Sequence, residues 1–130
     1  MAGQGVRFVG EVQDVTPYLH SADVFALPSA TEGLSGALLE ALASGLPVIA
    51  TSVGGAPDII QHLENGYLIP PDDVDALKLA LQTLLSDSAL RARLGENGRR
   101  RVASAFSLEL VADRLAGLYR ALLTSSTLTD

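Results

Sequence analysis

The sequence predicts an α/β domain built on a parallel sheet of about four strands, with flanking helices and a C-terminal helical segment. Three observations predict it. Apolar strand-like runs alternate with helical stretches from Val6 to Pro70. Two of those runs, Val24 to Pro28 and Pro47 to Thr51, are apolar with almost no alternation, as strands are when helices cover both faces. After Pro70, only helical periodicity remains. Alternation of this kind implies parallel strands with right-handed crossovers, and ligands bind beyond the carboxyl ends of such strands.

In order, Val6 to Gly10 reads as a short strand, and Val15 to Ala22 as a helix. Asp14 suits the N-cap of that helix, and Pro17 its first turn. Val24 to Pro28 is the second strand. A loop leads to a helix from Gly36 to Ser44, closed by Gly45 as a left-handed cap. Pro47 to Thr51 is the third strand. Gly54-Gly55 leads into a short helix from Pro57 to His62, and Asn65-Gly66 is a turn before a last strand, Tyr67 to Pro70. Asp72 and Asp73 cap a helix from Val74 to Leu85. Two more helices follow, Ser88 to Ala105 and Leu108 to Leu123; Gly95 and Gly98 are candidates to break or kink the first. Residues 1–5 and 124–130 read as flexible ends.

At 130 residues the chain is one domain, with 48% hydrophobic and 18% charged residues. Its net charge of −6 argues against nucleic acid as a partner. Arg91, Arg93, Arg99, Arg100 and Arg101 form a local basic cluster, which reads as a solvated helix face. The absence of cysteine excludes disulfides, thiolate metal sites and a thiol nucleophile. No apolar run reaches a membrane span, and the lack of a signal peptide points to the cytoplasm.

The chemistry concentrates between Ser29 and Thr51. Glu32 lies in the loop and Glu40 one turn into the Gly36–Ser44 helix, which has no other charge. Gly36 sits four residues before Glu40, hence on the same face, and its missing side chain leaves room for a ligand. Gly33, Ser35 and Gly36 precede helix amides that suit a phosphate or other anion. The plainer readings are a surface charge for Glu40, a dipole-stabilised loop carboxylate for Glu32 and an N-cap for Ser35.

This run resembles the donor-binding signature of the retaining glycosyltransferases of the GT-B fold, the group 1 or family 4 type. That family carries two glutamates separated by seven residues at a strand-to-helix junction, matched by Glu32 and Glu40. Gly45 and Pro47 to Thr51 match its turn and following strand. The resemblance continues at Arg7 to Gly10, Ala22 to Phe25, Pro28-Ser29, Gly54-Gly55, Asn65-Gly66, Gly95 to Asn97 and Phe106-Ser107, and covers roughly residues 6–123.

The resemblance implies a partial Rossmann-like domain, the C-terminal half of GT-B. It implies transfer of a sugar from a nucleoside-diphosphate sugar to an acceptor hydroxyl, without a cofactor or an essential metal. By the same resemblance Glu32 is the catalytic residue at the donor sugar and Glu40 holds the ribose hydroxyls. Gly33, Leu34, Ser35 and Gly36 supply backbone contacts to sugar and phosphate; many members have an aromatic and a second glycine where this chain has Leu34 and Ser35. Gly10 to Val12 are candidates for base contact. Gly54 and Gly55 allow a close backbone approach or simply a tight turn. Asp58 reads as a first-turn helix acid.

Complete members are far longer. The resemblance therefore implies that an N-terminal acceptor domain, and two strands of this domain, stand outside the chain. In the family's strand order those two would lie between the first two strands seen here. Isolated, the chain is expected to be inactive as a transferase and to self-associate or be only marginally stable, unless its four strands close up or pair with a complementing chain. The rival readings are a non-enzymatic nucleotide-binding or complementation module and an inactive truncation. His20 and His62 are too isolated for a metal pair, and Asp72, Asp73 and Asp75 read as caps rather than a cation cluster. No Ser/His/Asp triad and no Walker-type phosphate loop is present.

Overall fold

A computed structural model describes residues 5–125. Its elements are α1 (Thr16–Ser21), β1 (Phe25–Leu27), α2 (Gly36–Ala43), β2 (Val48–Thr51), α3 (Ala56–Ile59), β3 (Tyr67–Ile69), α4 (Val74–Ser86), α5 (Ser88–Ala105) and α6 (Leu108–Ser125). The strands form one parallel sheet in the order β1-β2-β3, with Phe25 opposite Val48 and Ala50 opposite Leu68.

All four residues of β2 are buried, because the strand is central and covered on both faces. Val48 and Ala50 point into one core with Leu38, Ala41 and Leu42 of α2 and Ile59 and Ile60 after β2. Ile49 points the other way, into a second core with Ile69, Ala80, Leu84 and Leu94. This two-sided burial explains the unbroken apolar run at residues 47–51. Each fully buried Leu or Ile contributes roughly 1.5–3 kcal/mol from removal of its surface from water.

The sheet has three strands, not four. Val6 to Gly10 has no regular structure and no strand partner, with Val6 57% and Phe8 81% exposed and Gly10 at φ +70°. Strand pattern alone does not make a strand; a ladder partner is needed, and among the described residues the segment has none. The short helix α3 stops at Ile59 rather than reaching His62, because Ile60 is extended. The Gln61 amide then donates to the Asn65 side-chain oxygen at 2.7 Å instead of continuing the helix. The first helix begins at Thr16, with the Asp14 carboxylate accepting the Thr16 amide at 2.9 Å. Hydrogen bonds from the Thr16 side chain and backbone hold the Asp14 carboxyl below the usual carboxylate range. Residues 1–4 and 126–130 lie outside the described residues. Thr124 and Ser125, expected to be loose, continue α6.

Gly95 and Gly98 neither break nor kink α5, which runs unbroken through both. They are contact points. α2 ends in a Schellman cap, with Gly45 at φ +77°, its amide donating to Leu42 at 2.9 Å and the Leu46 amide to Ala41 at 3.1 Å. Gly95 lies directly on the Gly45 carbonyl, and Gly98 lies on the Leu42 side chain. The helix-propensity cost of about 1 kcal/mol per glycine is offset by this close approach of two helices.

The arginine cluster is only partly a solvated face. Arg99 and Arg100 pair with Glu96 on the surface, at 3.2 and 3.0 Å, and such exposed pairs contribute little. Arg91 instead donates to the Leu84 and Leu85 carbonyls at the end of α4, at 2.7 and 3.1 Å. Arg101 donates to the Asp58 carbonyl at 3.1 Å and lies over the Phe106 ring.

Asn65 is 3% exposed, and its amide both accepts from Gln61 and donates to the Ile59 carbonyl at 3.1 Å. Asn65→Ala removes both bonds and leaves the part-buried Gln61 N–H and the buried Ile59 C=O without that partner. The expected loss is about 2 kcal/mol in urea unfolding, whereas Glu64→Ala, exposed one residue earlier, should stay within about 0.5 kcal/mol. Equal stabilities for the two variants would show that the turn holds without the asparagine.

Candidate functional site

The loops that leave β1 and β2 emerge at the same rim, the carboxyl end of the sheet, and lock together there. The Gly55 amide donates to the Gly33 carbonyl at 2.9 Å. Gly54 adopts φ +55°, and a Cβ there would overlap the Glu32 carbonyl and meet the Gly33 oxygen at 2.7 Å. Gly54 and Gly55 therefore provide a close approach between two loops of this chain.

Glu32 is half-buried in the first loop. Its carboxylate accepts a hydrogen bond from the Ser29 hydroxyl at 2.7 Å. Gly33, Leu34 and Gly36 are exposed, and a Cβ built on Gly33 or Gly36 would meet nothing within 4 Å. That open space is where the sequence expected a ligand to come close. Ser35 is extended, at φ −78° and ψ 113°, and its hydroxyl accepts the Leu38 amide at 3.3 Å. A serine serves at this position because its backbone needs no left-handed residue. Helix geometry leaves the Gly36 and Ala37 amides without an intrahelical acceptor, at the positive end of the helix dipole.

Glu40 is exposed one turn further along α2, on the side of Gly36 and Ala37. It stands at the edge of a cleft of about 360 Å³ lined by Val9, Gly10, Val12, Tyr18, Phe25 and Ala37. A second hollow, of about 510 Å³, continues past Glu40 towards Asp14, Thr16 and Ser44. The structure thus joins Glu40 to Gly10 and Val12, which lie 28 to 30 residues earlier in the chain. Among the described residues lining the apolar cleft, Glu40 is the one that carries a charge.

A different hollow of about 280 Å³ lies between Gln61 to Asn65 and α5. It sits at the amino end of β3, the rim opposite the two glutamates, and is not part of this site. The other titratable candidates are structural. His62 Nδ1 accepts the Leu68 amide at 3.0 Å, and its ring meets Tyr67 edge-on. Asp73 and Asp87 cap α4 and α5. Among the described residues, no group of three or more His, Cys, Asp or Glu is placed to hold a metal ion. No helix there is long and apolar enough to cross a membrane.

Sequence reasoning missed two participants. Ser29 was noted only as part of a family match, although its spacing of three from Glu32 permits the hydrogen bond. Thr51 was noted only as the last residue of the matched strand, since its hydroxyl looks like that of any β-branched strand residue. It donates to the Ser29 carbonyl.

Residues 1–101 match the family model described as glycosyl transferases group 1. The chain belongs to this family. A GDP-mannose-dependent monoacylated alpha-(1-6)-phosphatidylinositol monomannoside mannosyltransferase from Corynebacterium glutamicum is 40% identical over 124 residues, covering 88% of this chain and 32% of that protein. Sucrose-phosphate synthase from Thermosynechococcus elongatus superposes with a TM-score of 0.87 at 40% identity, over 95% of this chain and 31% of its own. Anabaena Alr3699/HepE, solved in complex with UDP, superposes with a TM-score of 0.87 at 25% identity, over 91% of this chain and 33% of its own. The chain spans about a third of the length of these relatives. What it matches is the C-terminal, Rossmann-like half of GT-B.

Proposed function

We propose that this domain binds the donor of a retaining glycosyltransferase, a nucleoside-diphosphate sugar, and that the complete enzyme moves the sugar to an acceptor hydroxyl. The observation that carries the reading is Glu40 at the edge of the apolar cleft, next to open backbone at Gly36. A flat, apolar base fits that cleft against Val9, Val12 and Tyr18. The Glu40 carboxylate accepts both hydroxyls of a vicinal diol, which suits a ribose. The diphosphate then lies over Gly33 to Gly36, where backbone amides and the helix dipole offset its charge. Glu32 faces the sugar. As the bond to the sugar breaks, negative charge grows on the departing diphosphate, and the helix end stabilises it with donors already in place. The UDP complex of the Anabaena relative and the GDP-mannose dependence of the corynebacterial one support a nucleotide donor and leave uracil and guanine as the two bases to test.

Glu40→Gln keeps the side chain's shape but replaces one acceptor with a donor and removes the charge. A charged acceptor on hydroxyls contributes roughly 1.5–3 kcal/mol, so affinity for the nucleoside diphosphate should fall more than about ten-fold. Stability should change by less than about 0.5 kcal/mol, since Glu40 is exposed. Calorimetric titration with uridine and guanosine diphosphates measures the first, and urea unfolding the second. Failure of the parent chain to bind either nucleotide, or equal affinities in the two proteins, would overturn the reading.

A complementation module is the second reading, favoured by one feature. The outer edge of β1 and the Val6 to Gly10 segment both lack a ladder partner among the described residues. On either reading the isolated chain transfers no sugar. Transfer from a labelled nucleotide sugar to any acceptor by the pure chain would contradict both.

A further inference from the structure

We propose that Ser29, anchored by Thr51, is a positioning residue that sets the Glu32 carboxylate before a ligand arrives. The part of this inference that concerns the sugar rests on the donor-site reading above; the part that concerns Glu32 order does not.

The β1–β2 ladder pairs Leu27 with Ala50 and then stops. The next residue on the β1 side is Pro28, which has no N–H to offer. A side chain takes over the link between the two strand ends. Thr51, only 3% exposed, donates its hydroxyl to the Ser29 carbonyl at 2.5 Å. That bond fixes the backbone of Ser29. The Ser29 hydroxyl in turn donates to Glu32 Oε1 at 2.7 Å, in a part-buried setting. The backbone around Glu32 is held from the other side as well, by the Gly54 contact to its carbonyl and by the Gly55 amide on the Gly33 carbonyl. One carboxylate oxygen is thereby committed to Ser29, and Oε2 is left for a ligand hydroxyl.

A glutamate on an exposed loop samples many rotamers, and ordering it on binding costs affinity. Here the ordering is built into the fold. The link also ties the site to the sheet: it runs from the buried end of β2 through two hydroxyls to the carboxylate.

The test uses the full chain with Ser29→Ala, Ser29→Thr and Thr51→Val. Side-chain NMR of Glu32, read as three-bond couplings and 13C relaxation, needs no ligand. The expected result is one rotamer in the parent and in Ser29→Thr, and averaging in Ser29→Ala. Thr51→Val should also average, and serves as the second probe should the alanine variant fold poorly. An averaged Glu32 in the parent, or an ordered one in Ser29→Ala, overturns the proposal. A second measurement addresses the sugar: the ratio of affinities for UDP-glucose over UDP, and for GDP-mannose over GDP. In Ser29→Ala the ratio for whichever nucleotide binds should drop about two- to ten-fold with the affinity for the bare diphosphate unchanged. A disordered Glu32 with an unchanged ratio supports the positioning role and removes Glu32 from the sugar, a failure of the donor-site reading alone.

Discussion

Gly95→Ala is expected to cost about 3 kcal/mol or more, enough to leave much of the protein unfolded in a marginal domain. The added methyl would overlap the Gly45 carbonyl. That carbonyl belongs to the Schellman cap of α2, whose two hydrogen bonds bind Gly45 and Leu46 back to the helix. It cannot turn aside without giving up the cap, and α5 cannot retreat without opening the core at Leu42 and Leu94. Gly98→Ala meets the end of the Leu42 side chain at 2.5 Å, which has some freedom to shift, so about 1–2 kcal/mol is expected. Gly117→Ala is the control. A methyl there meets nothing within 4 Å, and alanine's better helix propensity should add about 0.5–1 kcal/mol of stability. Urea unfolding of the three variants measures the order. A Gly95→Ala midpoint level with the parent would mean that the two helices are not in the contact described. Because α2 carries Glu40 and presents its amino end to the candidate site, the α2–α5 contact also holds that site's geometry.

Gly54→Ala should be nearly as harmful to stability and more harmful to the site. Alanine at φ +55° costs about 1–2 kcal/mol from its own backbone. The new methyl also collides with the carbonyls of Glu32 and Gly33, for a total of about 3 kcal/mol. To relieve the collision, the Glu32 loop must move away from the loop after β2, which breaks the Gly55-to-Gly33 hydrogen bond. Binding of a nucleotide sugar should then be lost even under conditions where the variant remains folded. Gly33→Ala is the informative contrast. Its methyl meets no protein atom within 4 Å, so stability should stay within about 0.5 kcal/mol. If Gly33 faces the donor, affinity falls all the same. Unfolding curves and calorimetry on both variants separate the two glycines. A Gly54→Ala protein that binds as tightly as the parent would show that the loop contact does not shape the site.

These two glycines also mark where sequence reading stopped. The apolar runs at 24–28 and 47–51, the left-handed cap at Gly45 and the cap at Asp73 were all legible, because each is a local choice. Backbone angles, amide partners within four residues and face periodicity are written within a few positions of one another. The open face at Gly36 beside Glu40 was legible for the same reason, as both lie on one helix. The strand at Val6 to Gly10 was misread because a strand is a pairing. Its local pattern is right, but hydrogen-bonding partners come from outside the segment, and among the described residues none stands beside it. The amphipathic pattern of α6 was equally clear, yet among the described residues its apolar side chains, such as Leu115, Leu118 and Leu122, are largely exposed.

The sequence by itself determined the α/β class, the parallel order of the elements and the two glutamates at the rim of the sheet. Period, capping and glycine placement act over one or two turns, so a single chain displays them directly. Only the tertiary structure decided that Gly95 is a contact rather than a break in its helix, and that the Gly54 turn packs against the Glu32 loop. Only it brought Gly10 and Val12 to Glu40, and Thr51 to Ser29 and hence to Glu32. Those outcomes depend on which surfaces meet across 20 to 50 residues of chain, and steric exclusion between distant backbones leaves no trace in the local pattern that precedes it.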